Sequence, residues 1–272
     1  MKNMHLKRWL TSLVALPFLI VFLYRGGPFL FLILISLVSL IALWEYFHVV
    51  YKNALPPVPL IIPLTGYITG AAIIFTVFYE LFNVVLCLIA FNLIIVGLIS
   101  VFLYKKDTAV LELTAKQIQG IVYIPLFLSC LVLIRNGENG TEWIFLILIL
   151  IMMGDTGAFY TGTYLGRHKL SPFVSPGKTM EGAAGGLVAN LLGGILFKYY
   201  FMPHLHWGLC LIFFICIGLA GQVGDLFESL FKRVSGVKDS GNILPGHGGM
   251  LDRIDALLFA SPVAYLFIKY IF

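Results

Sequence analysis

Charge is scarce in this sequence. Asp, Glu, Lys and Arg make up 11% of its 272 residues, against 60% hydrophobic residues, and the mean hydropathy is +0.98. So little charge excludes an ordinary soluble domain or a disordered tail. The net charge of +5 is spread over many loops rather than gathered in one basic patch, so nucleic acid is not an expected partner. Cysteine is equally sparse. Cys87, Cys130, Cys210 and Cys216 lie in apolar stretches at no metal-ligand spacing, and read as small buried hydrophobes. No internal repeat suggests a solenoid, and no polar connection is long enough to be a soluble domain of its own.

What is abundant is the long apolar run, and a run of about 20 residues crosses a ~30 Å hydrocarbon core. Residues 7–25, 28–50, 60–78, 81–104, 118–134, 142–160, 181–201, 207–228 and 251–271 predict nine spans. The expected fold is an all-α, polytopic integral membrane protein; an outer-membrane barrel would show short alternating segments instead. The first run is too long, and too poor in small polar residues near its end, for a cleaved signal peptide, and is expected to stay as a span. Placing the N-terminus in the cytoplasm puts fourteen of the eighteen Lys and Arg residues inside and leaves Arg25, Arg135, Lys198 and Lys269 outside. That asymmetry is the one the positive-inside rule expects, and the expected location is the cytoplasmic (inner) membrane.

One integral membrane domain is expected, with two unlike halves. Residues 1–134 are apolar helices joined by short loops, with Pro56, Pro57, Pro59 and Pro63 marking one turn. Glu45 and His48, near Lys52, read as solvated or headgroup-facing, and residues 105–117 predict an amphipathic segment in the membrane surface. Residues 135–272 carry the polar motifs. Asp155 follows a strongly apolar run, so its carboxylate is expected to face the protein interior. Small residues at 182/186 and at 185/189/193 predict a closely packed helix pair.

The densest polar stretch is residues 225–255, DLFESLFKRVSGVKDSGNILPGHGGMLDRID. Asp225, Glu228 and Ser229 fall at helical spacing on one face, which Lys232 extends, and Asp252 and Asp255 are likewise three apart at the start of the last run. Carboxylates with no cysteine and a single nearby histidine favour Mg²⁺ over zinc. Gly246, Gly248 and Gly249 flank His247 and let backbone N–H groups approach an anion just before a helix start. Lys178, Lys232, Arg233, Lys238 and Arg253 can balance the charge of a polyphosphate.

The string S-x-x-K-R-x(4)-K-D-x-G-x-x-L-P-x-H-G-G-M-x-D-R-x-D, running from Ser229 to Asp255, resembles the signature of the phosphatidate cytidylyltransferases, also called CDP-diacylglycerol synthases. Asp155-Thr-Gly-Ala-Phe and Ser175-Pro-Gly-Lys-Thr-Met-Glu181-Gly are similar to further segments of that family, with Gly177 standing where a second basic residue is expected. The resemblance implies that phosphatidate attacks the α-phosphorus of CTP, giving CDP-diacylglycerol and pyrophosphate, with Mg²⁺ required.

On this reading Asp225 and Asp252 are the principal metal ligands, converging on a common cation, with Asp255, Asp239 and Glu228 around them. Asp225, Asp252, Lys232, Asp255 and His247 make the catalytic set, while Lys178, Lys232, Arg233, Lys238, Arg253, Gly248 and Gly249 contact phosphates. His247 has two open roles, donor to a phosphate or organiser of its loop. Asp155 and Glu181 either complete the polar cavity or form a structural pair. No triad or nucleophile elbow is present, and none is needed when the lipid phosphate is itself the nucleophile. The rival reading is an ion-coupled secondary transporter using intramembrane carboxylates; the absence of a paired inverted repeat counts against it. Whether the chain forms a homodimer the sequence leaves open.

Overall fold

The computed structural model describes residues 20–54, 57–104, 110–243 and 248–272. Most of the first expected span, together with Gly246 and His247, lies outside the described residues. Among the described residues, 20–25 are helical, and nine further α-helices follow in chain order: α1 (Gly27–Val50), α2 (Ile61–Phe78), α3 (Phe82–Leu103), α4 (Val110–Ile121), α5 (Phe127–Asn136), α6 (Gly140–Leu165), α7 (Met180–Phe201), α8 (Trp207–Val234) and α9 (Leu251–Tyr270). A π-turn, Val122–Leu126, joins α4 to α5, and a hairpin of β1 (Lys169–Ser171) and β2 (Ser175–Thr179) separates α6 from α7.

Among the described residues, seven helical stretches are long and apolar enough to cross a membrane, counting Val110–Asn136 as one. The expected ninth span is present as helix α9, but it is not one of the seven: Asp252, Arg253 and Asp255 crowd its first turns and Lys269 its last. Of the expected surface segment, residues 105–109 lie outside the described residues; 110–117 are the first turns of the long Val110–Asn136 stretch, with Val110, Leu113, Thr114 and Gln117 buried and Leu111 and Glu112 exposed. Lipid-facing character is clearest on α3, where Leu86, Phe91, Ile94 and Phe102 are exposed. Cys87 is exposed on the same helix, which corrects its reading as a buried hydrophobe.

The chain divides into two compact units, one holding residues up to Asn136 together with Ser235–Arg253, the other Gly137–Val234 together with Ile254–Phe272. In the first unit a buried polar network ties α2, α3 and α4 together. Thr69 Oγ1 donates to Asn92 Oδ1 (3.1 Å), Asn92 Nδ2 donates to Gln117 Oε1 (2.9 Å), and Gln117 Nε2 reaches Thr65 Oγ1 (3.2 Å). Such bonds act as glue in surroundings where apolar burial gives little preference for one helix partner over another. Helix α1 is fixed by Tyr46, whose hydroxyl donates to Lys116 O (3.1 Å) and Gln119 Oε1 (3.0 Å). Close approach here needs glycine: a Cβ at Gly120 would overlap the Tyr46 ring, and one at Gly66 would press on Phe47. Just past α1, Tyr51 donates to Leu113 O (3.0 Å), and burial raises its pKa, so it remains a donor. Pro125 sits in the π-turn, where the helix ladder is already interrupted, and packs on Gly70 of α2.

In the second unit α6 and α7 pack backbone to backbone. A Cβ at Gly157 would overlap that of Ala189, one at Gly185 would fall on Thr161, and Gly186 lies against Gly154 O and Ala158. The small-residue spacing in α7 is therefore used as the sequence predicts. Gln222 Nε2 of α8 donates to Ala183 O of α7 (2.9 Å), and Gly224 allows α8 to meet the backbone of α9 at Asp255. Lys198, buried near the end of α7, is satisfied by Pro203 O (3.0 Å) and the Trp207 ring, 4.0 Å from its Nζ.

Candidate active site

The hairpin owes its position to the start of α7. Thr179, with extended backbone at the N-cap, accepts the Gly182 N–H (3.1 Å). Two residues on, Glu181 accepts the N–H groups of Arg167 (3.1 Å) and His168 (3.2 Å) and bonds His168 Nδ1 (2.6 Å). Glu181 thus ties the entry of the hairpin to a helix N-terminus, where negative charge is favoured. Its ion partner is His168 rather than Asp155. Arg233 closes the other side, its Nε donating to Val174 O at the hairpin turn (3.0 Å).

This arrangement holds Lys178 of β2 over a cavity of about 480 Å³ that lies wholly within the second unit. Glycine and alanine of α6, α7 and α8 supply eight of its 22 lining residues, with Asp155, Lys178, Asn190, Gln222 and Asp225 as its polar residues of note. Lys178 Nζ is 2.5 Å from Asp225 Oδ2. Asp155 faces this cavity, as its cost in an apolar helix requires. Asp255, half-buried on α9, accepts the Ala256 N–H (2.8 Å) and lies within electrostatic reach of Asp225, Asp155 and Lys232. Three helices therefore bring three carboxylates into one field. A Cβ at Gly177 would meet nothing within 4 Å, so space is open beside Lys178.

The face shared by Asp225, Glu228 and Lys232 does not act as one. Asp225 turns to the cavity, whereas Glu228 is fully buried and ion-paired with Lys232 one turn on. Among the described residues, no group of three or more His, Cys, Asp and Glu side chains has the spacing to hold a metal ion.

The first unit holds the remaining candidates. Asp252 accepts the N–H groups of Ser240 (3.1 Å) and Gly249 (2.9 Å), the second lying just ahead of α9. The anion met by the Gly249 N–H is thus the protein's own carboxylate. Gly248 has φ +84°, a conformation that side chains rarely adopt, and a Cβ there would sit 3.0 Å from Asp252 Oδ2. Lys238 and Asp239 are exposed and line a second hollow of about 490 Å³ with Trp44, His48, Lys52 and Asn242. The Trp44 and His48 rings stack there, their centroids 5.6 Å apart. Arg253 is exposed in the first turn of α9.

One buried carboxylate escapes the sequence reading. Glu45 is neither solvated nor headgroup-facing: it is fully buried and accepts the N–H groups of Met250 (3.0 Å) and Leu251 (2.8 Å) and the hydroxyl of Ser240 (3.2 Å). A Cβ at either Gly241 or Gly249 would overlap it. The signal available was a lone carboxylate in an apolar run, the same signal that singles out Asp155.

Residues 6–271 match the cytidylyltransferase family. The chain belongs to that family. The phosphatidate cytidylyltransferase of Staphylococcus haemolyticus is 34% identical over 262 residues, covering 94% of this chain and 96% of the relative. That of Staphylococcus epidermidis is 32% identical over the same length, and that of Bacillus subtilis is 42% identical over 145 residues, 53% of this chain and 54% of the relative. A cytidylyltransferase is an enzyme that handles a nucleotide, and this one is built as an integral membrane protein.

Proposed function

We propose that this cytidylyltransferase joins CTP to phosphatidate at the cytoplasmic face of the inner membrane, with Mg²⁺ as its resident cation. An oxygen of the phosphatidate phosphate bonds to the α-phosphorus of CTP, the bond from that phosphorus to the bridging oxygen breaks, and pyrophosphate leaves with the electron pair. CDP-diacylglycerol remains in the membrane.

The observation that carries this reading is the cavity of the second unit, where Lys178 meets Asp225 and the charges of Asp155 and Asp255 are close by. Its volume lies in the range of small-molecule sites, roughly 300–1,000 Å³. Both reactants are anions, so the demands on the protein are alignment and neutralisation of charge. Lys178 supplies an ammonium at the cavity wall, and the glycine-rich walls allow phosphate oxygens close approach to backbone.

Donor chemistry supports a hard divalent cation: Asp225 already accepts a cationic partner, and Asp155 and Asp255 add like charge that a cation would relieve. Asp225 and Asp255 would hold the metal, with Asp155 beside them, and Asp252 of the signature is proposed as a further carboxylate on which Mg²⁺ use depends. When bound, Mg²⁺ supplies neutralisation of the phosphate oxygens.

The test uses detergent-purified protein with CTP labelled in its base, phosphatidate and Mg²⁺. The label should pass into the organic phase, with equimolar pyrophosphate released; EDTA should stop this and added Mg²⁺ restore it. In sealed vesicles only the inside-out orientation should use external CTP. Label that stays aqueous, with CTP-independent ion flux across the vesicles, would overturn the reading in favour of a transporter.

A further inference from the structure

We propose that Glu45 is a positioning residue for the reaction, fastening both flanks of the polar loop that leads to Asp252 and Arg253. The inference rests on the function proposed above and adds to it a residue from the half of the chain that carries none of the motifs.

A carboxylate buried in a spanning helix is costly, and it persists where donors offset the loss of water. Glu45 has such donors, and they come from the loop: Oε1 accepts from Met250, while Oε2 accepts from Leu251 and from the Ser240 hydroxyl. Ser240 is the shared node, because its hydroxyl goes to Glu45 and its N–H to Asp252. Gly249 is shared in a similar way. Its N–H goes to Asp252, and its missing side chain is what lets the loop close on Glu45. Moving Glu45 therefore moves the partners that aim Asp252. A carboxylate serving only to solvate a helix end would leave both ends of the loop to themselves.

Glu45→Gln tests this in the full chain. It places an NH₂ group against an N–H donor and keeps the side chain's size. Outer-shell partners of this kind are worth roughly 10- to 100-fold in activity, so kcat for CDP-diacylglycerol formation should fall by that amount. The Mg²⁺ concentration for half-maximal rate should rise, and KM for phosphatidate should stay within about twofold of wild type. Glu45→Asp, one methylene short, should not restore the rate. Gly249→Ala reaches the same contact from the loop side and should give the same signature, and Ser240→Ala a milder one. The double variant Glu45→Gln/Gly249→Ala should be no worse than its worse parent, since both break one contact. Wild-type kcat and Mg²⁺ dependence in Glu45→Gln and Gly249→Ala would overturn the proposal. So would rate losses that follow melting temperature alone with the Mg²⁺ dependence unmoved. A wild-type protein that forms no product in the same assay would instead sink the proposed function.

Discussion

Lys178 on the hairpin and Asp225 on α8 meet at 2.5 Å in the lining of one cavity. A static surface bridge would be worth little. A lysine and an aspartate that trade this contact for substrate phosphate and metal would be worth far more. Lys178→Met and Asp225→Asn should each lower the rate of CDP-diacylglycerol formation by about 100-fold or more, the scale for losing a group that stabilises transition-state charge. The exchange Lys178→Asp/Asp225→Lys, which preserves a bridge, should not recover it; recovery would reduce the pair to a structural strut.

Glu228 and Lys232 make a different kind of pair, one turn apart on α8 with Glu228 fully buried. Removing one partner from a buried pair costs about 3–5 kcal/mol, because the other charge is stranded, whereas replacing both can be close to neutral. Glu228→Gln should therefore lower the melting temperature in detergent sharply, and Glu228→Gln/Lys232→Met should regain most of the loss. Equal melting temperatures for the single variant and wild type would show that the pair is not sealed from water.

Asp252 bonds two backbone N–H groups of its loop with its carboxylate. Asp252→Asn turns an amide donor toward one of them. Turnover should be abolished while expression and oligomeric state stay intact, and limited proteolysis should cut residues 235–253 sooner. Unaltered activity at saturating Mg²⁺ would remove Asp252 from the machinery.

Two glycines, one in the hairpin and one in α7, should behave in opposite ways. Gly185→Val drives its side chain into Thr161, and overpacking of this kind costs about 1–3 kcal/mol, readable as a lower melting temperature. Gly177→Ala enters open space and should change stability by no more than about 0.5 kcal/mol. A reversed order would mean that α6 and α7 are less closely packed than described.

Periodicity and cost are legible in a sequence; partners far away in the chain are not. The spacing of Gly182, Gly185 and Gly186 announced a close helix pair, and an aspartate in an apolar run announced a cavity at Asp155. The hairpin could not be read, because strands of three and five residues containing Pro176 and Gly177 are too short to show alternation. Nor could the division of labour along α8, since helical spacing places Asp225, Glu228 and Lys232 on one face without saying which pair with each other. Glu45 was read as headgroup-facing because a carboxylate near a helix end looks the same whether water or a remote backbone satisfies it.

The bond from the Leu251 N–H to Glu45 joins residues 206 positions apart. A ribosome adding roughly 5–20 residues per second makes Glu45 some 10–40 s before its last partner emerges. During insertion, an early helix thus carries an acid whose donors do not yet exist. Nascent chains stalled short of residue 240 would hold that acid unanswered, and its last two donors arrive only as synthesis nears its end.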